Sequence, residues 1–212
     1  MRMTRAVLIW TGLALALVLP LSHAATSEYL AWRDPVYIAS GFAGVFALSL
    51  LLVQPLLALG WLPGLHLLRS RRVHRRVGMV LVAAVVVYVA GLWITSPPDI
   101  IDALLLRSPT PFSVWGVAAM WALFAAALLS LLRRRLSPSS WRVGHTSLVS
   151  LVVVGGSVHA LLIEGTMNTT SKAVLCGLAL VTTMAAVASP WLRARRRAPG
   201  KERPSEPQED PR

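Results

Sequence analysis

The sequence predicts an all-α, polytopic membrane protein that folds as a bundle of six transmembrane helices. The chain has 212 residues, of which 55% are hydrophobic and only 14% are charged, and its apolar residues form long uncharged runs. A helix of roughly 20 apolar residues crosses the hydrocarbon core of a bilayer. Because lipid cannot hydrogen-bond backbone groups, such runs must be helical. The lipid bilayer is therefore the first predicted partner.

Six apolar runs have the length of a membrane span. They cover residues 6–23, 37–59, 77–95, 113–132, 145–163 and 173–191. We expect three regions in the chain. Residues 1–36 hold the first span and an outer loop, residues 37–192 form the helical core, and residues 193–212 form a charged, Pro-rich tail whose composition predicts disorder.

The net charge of +12 is divided unequally between the two sides of the predicted membrane. If the spans alternate in direction, all but three of the 21 Lys and Arg residues face one side, and the exceptions are Arg33, Arg107 and Lys172. Short loops rich in Lys and Arg stay in the cytoplasm. Both termini are therefore predicted to be cytoplasmic, in a multi-pass protein of the plasma membrane. No nucleic-acid-binding motif accompanies the basic runs, so nucleic acid is not a predicted partner.

The first span has a second interpretation. Arg2 and Arg5, the apolar run after them and the sequence Ser22-His23-Ala24 also fit a cleavable secretory signal. We favour retention as a membrane anchor. Cleavage would leave five spans and would not change the topology of the rest.

Histidines inside the spans are the candidate functional residues, because an imidazole in a bilayer is costly and marks a functional site by default. His145 and His159 both belong to the fifth span. Their fourteen-residue separation places them on one helical face, about 40° apart around the helix and about 21 Å apart along it. This is the geometry of two axial ligands at two depths in a membrane.

A haem held by two histidines needs a second helix that faces the first. His74 stands at the cytoplasmic end of the third span, at the depth of His145, and the third and fifth spans run in the same direction. The third-span position equivalent to His159 is Tyr88. The pattern therefore holds three histidines and one tyrosine where four histidines would make two haem sites.

Each of these histidines also has a structural interpretation. His74 lies among arginines at the membrane interface, and His145 suits the capping of a helix start. His159 suits a hydrogen bond to a serine or a carbonyl group of a neighbouring helix. Trp141 lies near a span end, where an indole prefers the headgroup region, and is interpreted as a membrane anchor.

Two short motifs resemble those of a known family. The stretch His74-Arg75-Arg76-Val77-Gly78 is similar to the His-Arg-x-Leu-Gly start of the third helix in ferric reductase-like transmembrane domains. The stretches Trp141-Arg142-Val143-Gly144-His145 and His159-Ala160-Leu161-Leu162 are similar to the fifth helix of those domains. The resemblance covers roughly residues 37–190. This superfamily includes NADPH oxidases, ferric reductases and the haem subunit of bacterial methionine sulfoxide reductase systems.

The resemblance implies six helices with b-type haems between the third and the fifth, and electron flow from the cytoplasm outward. It implies that His74 and His145 ligate the haem nearer the cytoplasm. The outer site would hold His159 opposite Tyr88, and tyrosinate does ligate iron in catalase. We therefore expect haem b at one firmly held site, with the second site altered or empty.

The predicted function is electron transfer from a cytoplasmic donor toward an extracytoplasmic or membrane acceptor. The sequence contains no Gly-rich nucleotide-binding turn and no strand-rich segment for a flavin, so the predicted donor is a separate flavoprotein or a quinol. One alternative is a haem-free family member that acts as a membrane subunit or assembly partner. Another is a small-molecule transporter, which the lack of buried acidic residues and of an inverted repeat disfavours.

Overall fold

The computed structural model describes residues 2–197, with side-chain environments for residues 3–190, and the described range is all-helical. Its helices are α1 (Arg2–Ala25), α2 (Pro35–Leu59), α3 (Leu67–Thr95), α4 (Pro97–Leu104), α5 (Pro111–Leu131), α6 (Pro138–Leu162) and α7 (Thr169–Arg197). Short 3-10 turns cover Glu28–Leu30 and Leu132–Arg135. All of the α-helices except α4 are long and apolar enough to cross a membrane. The predicted all-α, six-span architecture is confirmed, whereas the cytoplasmic placement of both ends stays a prediction.

Helix starts and ends follow local sequence signals. Proline occupies the first turn of α2, α5 and α6, where its missing N–H is not needed. The side chains of Asp34 and Ser137 cap α2 and α6 by accepting hydrogen bonds from Val36 N and Ser140 N. The end of α2 is Gly60, whose φ of 66° is the left-handed conformation that glycine adopts without strain.

Two helices that carry the candidate site begin earlier than the apolar runs do. The third span was expected from residue 77 and the fifth from residue 145, but α3 begins at Leu67 and α6 at Pro138. In α3 backbone hydrogen bonding continues through charged residues, whose long side chains reach the interface, and in α6 the helix starts at Pro138 behind the Ser137 cap. As a result His74 and His145 each lie about two turns inside their helices.

The last helix corrects one predicted boundary. The disordered tail was expected from Arg193, but α7 continues to Arg197. A run of arginines favours helix by intrinsic propensity and needs no apolar contact to extend an existing helix. The remainder of the predicted tail, residues 198–212, lies outside the described residues.

Helix α2 is the centre of the bundle. Half of its most apolar stretch is buried, against less than a third of the corresponding stretch in each other spanning helix. It packs most extensively against α3 and also contacts α1, α6 and α7, while α5 pairs mainly with α6. Helix α3 is therefore positioned directly by α2, whereas α6 is positioned mainly by α5 and α7.

The first helix packs as a member of the bundle. The indole Nε1 of Trp10 donates a hydrogen bond to the carbonyl oxygen of Pro63. His23 Nδ1 lies 2.9 Å from Ser171 Oγ of α7, and Ala24 is only 1% exposed. These contacts favour the anchor interpretation of the first span.

Candidate functional site

His74 is held on α3 by a backbone contact with α2. Its Nδ1 lies 3.1 Å from the carbonyl oxygen of Gln54. Because a carbonyl oxygen only accepts, Nδ1 carries the proton and the neutral ring keeps a free lone pair on Nε2. This is how proteins usually orient a metal-ligating imidazole. Gly78, one turn further along α3, lets the side chain of Gln54 come close to α3, since a Cβ at Gly78 would lie 3.1 Å from Gln54 Nε2.

His145 on α6 is held by a different contact. Its ring stacks on the indole of Trp141, with the ring centroids 5.1 Å apart and the planes 11° apart. The guanidinium carbon of Arg133 lies 4.5 Å from the centroid of that indole. His145 Nδ1 is buried and makes no hydrogen bond. Trp141 was interpreted as a membrane anchor, and its four-residue spacing from His145 was the signal that it stacks on the imidazole.

The surroundings of His74 and His145 contain unused hydrogen-bonding capacity. His145 Nδ1, Trp141 Nε1 and Gln54 Oε1 are buried atoms without a partner among the described residues. Because buried polar atoms normally have partners, these atoms indicate that polar partners are missing here. Two imidazoles from parallel helices and these unpaired atoms fit a haem. We call His74, His145, Gln54 and Trp141 the inner site.

His159 lies on α6, about one turn before the end of that helix. Contacts with α5 fix the orientation of its ring. His159 Nδ1 is 2.8 Å from the carbonyl oxygen of Phe112, so Nδ1 again carries the proton. Gly116 makes this possible, because a Cβ at that position would lie 2.5 Å from His159 Nδ1. The sequence did not single out Gly116. Its only signal there is a glycine one turn after Phe112 at the start of α5.

Tyr88 contacts Nε2, the other ring nitrogen of His159. The Tyr88 hydroxyl donates toward His159 Nε2 across 3.4 Å, and the two rings are edge to face. The ring of Tyr88 rests on Gly44 of α2, where a Cβ would lie 3.1 Å from its edge. The structure therefore brings the two predicted outer residues together, but as partners of one another. We call Tyr88 and His159 the outer pair.

The geometry of the outer pair does not fit a haem. A first-row metal ion lies about 2 Å from an imidazole nitrogen, so two ligands on opposite sides of it are about 4 Å apart. The Tyr88 oxygen and His159 Nε2 are 3.4 Å apart, which leaves no space for an iron and its porphyrin between them. This arrangement favours an altered or empty outer site over a Tyr88–His159 ligand pair.

The structure defines a six-helix membrane protein in which one imidazole near the start of α3 is held by a carbonyl oxygen, one near the start of α6 is stacked on an indole, and a tyrosine–histidine contact joins the two helices further along. The family model described as the ferric reductase like transmembrane component matches residues 40–156. The chain belongs to this family, which confirms the resemblance found in the sequence. The matched range includes His74, Tyr88 and His145 and ends just before His159. No curated protein and no solved structure matches the chain.

Proposed function

We propose that this protein is a membrane b-type haem electron-transfer component whose haem is held by His74 and His145. Family membership supports the coarser part of this proposal, a membrane oxidoreductase component. The observation that carries the finer part is the inner site, where an oriented imidazole and a stacked imidazole lie beside unpartnered buried atoms. A haem there would supply a one-electron redox centre.

The protein's own groups would bind and orient that centre. The Gln54 carbonyl oxygen fixes the ring of His74, and Trp141 fixes the ring of His145. Helix α3 is held mainly by α2, and α6 is held mainly by α5 and α7.

The geometry of the outer pair affects where an electron acceptor would have to bind. His159 lies about 21 Å along α6 from His145 at 1.5 Å per residue. With no haem between Tyr88 and His159, no redox group bridges this distance. We therefore favour a membrane-dissolved acceptor that approaches the inner site, rather than an acceptor at the outer face.

The proposed donor is a separate acidic flavoprotein, with a quinol as the alternative. Exposed arginines lie near the inner site, in the first turns of α3 and on the turn before α6. They are Arg71, Arg72, Arg75, Arg76, Arg133, Arg134 and Arg135. Complementary charge accelerates the encounter between electron-transfer partners and is weakened by salt. Anionic lipid headgroups would use the same arginines, at about 1 kcal/mol per basic residue.

The absorption spectrum of the purified full-length protein, oxidised and then reduced with dithionite, tests the proposal. We expect a Soret band, a b-type α-band after reduction and about one haem per chain. His74→Ala and His145→Ala should each abolish the bands. His66→Ala is the matched control, because His66 is exposed at the start of α3 and its side chain makes no cap hydrogen bond. A protein without a Soret band after expression with ample haem would instead be the haem-free subunit.

A further inference from the structure

The three intramembrane imidazoles are not held alike. His74 and His159 each direct Nδ1 at a backbone carbonyl oxygen, at 3.1 and 2.8 Å. His145 has no such acceptor, and its Nδ1 is buried without a partner. Its ring is held instead by the face of Trp141, nearly parallel to it. The two imidazoles of the inner site therefore differ in the group that orients each ring, which is a carbonyl oxygen for His74 and an indole face for His145.

This difference has a chemical consequence for an iron ligand. A hydrogen bond from Nδ1–H to a carbonyl oxygen raises the basicity of an imidazole and makes it a stronger donor to the metal. A stronger donor favours the oxidised iron. His145, without that bond, is the weaker donor of the two, and stacking on an indole fixes the plane of its ring without polarising its N–H group.

A fixed positive charge adds to the same effect. Arg133 holds its guanidinium over the Trp141 ring, and arginine stays charged at every physiological pH. The adjacent Arg134 and Arg135 are exposed on the same turn, but neither makes a cation–π contact in the described part of the chain. Arg133 is thus the arginine of this turn whose charge has a defined position, one side chain away from His145. A cation near the iron disfavours its oxidised, more positive state.

We propose that Trp141 and Arg133 are positioning residues. They set the ring plane of His145 and keep the midpoint potential of the inner haem higher than it would be without them. The inference rests on the proposed function and specifies how its site is tuned. Trp141 would act through the orientation of the imidazole, and Arg133 through the placement of the indole and through its own charge.

A redox titration followed by absorption tests the contribution of Arg133. Arg133→Gln should lower the midpoint potential, so that the ratio of reduced to oxidised haem at a given ambient potential falls about threefold. Since tenfold corresponds to 59 mV for one electron, this is a shift of roughly 30 mV. Arg134→Gln removes the same charge from the same turn without the indole contact, and should leave the potential unchanged.

The low-spin ferric EPR spectrum tests the contribution of Trp141, because it reports the relative orientation of the two imidazole planes. Trp141→Leu removes the stacking surface and should broaden and shift this spectrum while the haem stays bound. Trp141→Phe keeps an aromatic face and should restore the spectrum of the unaltered protein.

The outcomes separate this inference from the function on which it rests. If Arg133→Gln and Arg134→Gln have the same potential, and Trp141→Leu keeps the EPR spectrum with haem bound, the positioning role is overturned while the haem function stands. If the unaltered protein binds no haem, the proposed function itself is overturned, and the tuning role with it.

Discussion

The hydroxyl oxygen of Tyr88 lies 3.4 Å from Nε2 of His159, and this contact joins α3 to α6. Because the Phe112 carbonyl oxygen accepts a hydrogen bond from Nδ1–H, the Nε2 lone pair points at the phenol. Both nitrogens of His159 are thus used within the protein. Tyr88 and His159 therefore satisfy one another without any group between them.

Replacing Tyr88 should reopen the outer position. We expect Tyr88→His to raise the haem content from about one toward two per chain, since a shorter side chain leaves room and supplies a second imidazole. The measurement is haem by pyridine haemochrome against protein by amino-acid analysis. Tyr88→Phe removes only the hydroxyl group and should leave the content unchanged. An unaltered stoichiometry in Tyr88→His would contradict the equivalence of Tyr88 and the family's histidine.

Gly116→Ala should destabilise the bundle at the outer pair. The added Cβ would lie 2.5 Å from His159 Nδ1, so the ring must move and its bond to the Phe112 carbonyl oxygen is strained or lost. We expect a loss of about 1–3 kcal/mol in the free energy of unfolding, the usual effect of overpacking. Thermal unfolding in detergent measures it. Gly177→Ala is the control, because a Cβ at Gly177 meets no atom within 4 Å.

Thiol labelling tests the predicted orientation of the spans. Cys176 is buried at 1% exposure, so the unaltered protein should not react with a membrane-impermeant maleimide. Arg107→Cys, in the segment between α4 and α5, should be labelled in intact cells. Arg134→Cys, on the turn before α6, should be labelled only after permeabilisation. The reverse pattern would invert the assignment made from the positive charges.

The fate of the first helix is measurable by mass. We expect the purified protein to have the full-length mass of 22.9 kDa, because α1 contacts the bundle through Trp10, His23 and Ala24. Loss of the first 24 or so residues would show that the run is a secretory signal. Ala24→Leu, which blocks processing at a small-residue site, should change the mass of an anchor that is never cleaved only by the difference between the two side chains.

His74 and His145 could be singled out from the sequence because charge and hydropathy along the chain predict that they stand at equal depth in parallel spans. Their joint role stays a prediction. Trp141 was visible in the sequence but was assigned to the interface, since its stacking on His145 depends on the α6 backbone starting at Pro138. The helical extension beyond the apolar run made that contact possible.

Lys172 shows the limit of reasoning from charge alone. The sequence places it in an outer loop, yet it is only 7% exposed and its ammonium group donates to the carbonyl oxygen of Ile163 at the end of α6. A lysine at a helix C-terminus neutralises carbonyl groups that lack a partner. That role arises only when α7 folds back against α6, which no local pattern specifies.

The sequence alone determined the membrane class, the six helices and the family, because each depends on local quantities. Apolar length requires a span, an unsatisfied backbone requires a helix, and Asp34 and the prolines of the first turns set where helices start. The tertiary structure alone decided the partners of two imidazoles: Gln54 for His74, and Phe112 with Tyr88 for His159. These contacts join residues on different helices, so they depend on which helices pack together, whereas Trp141 and His145 are four residues apart on one helix.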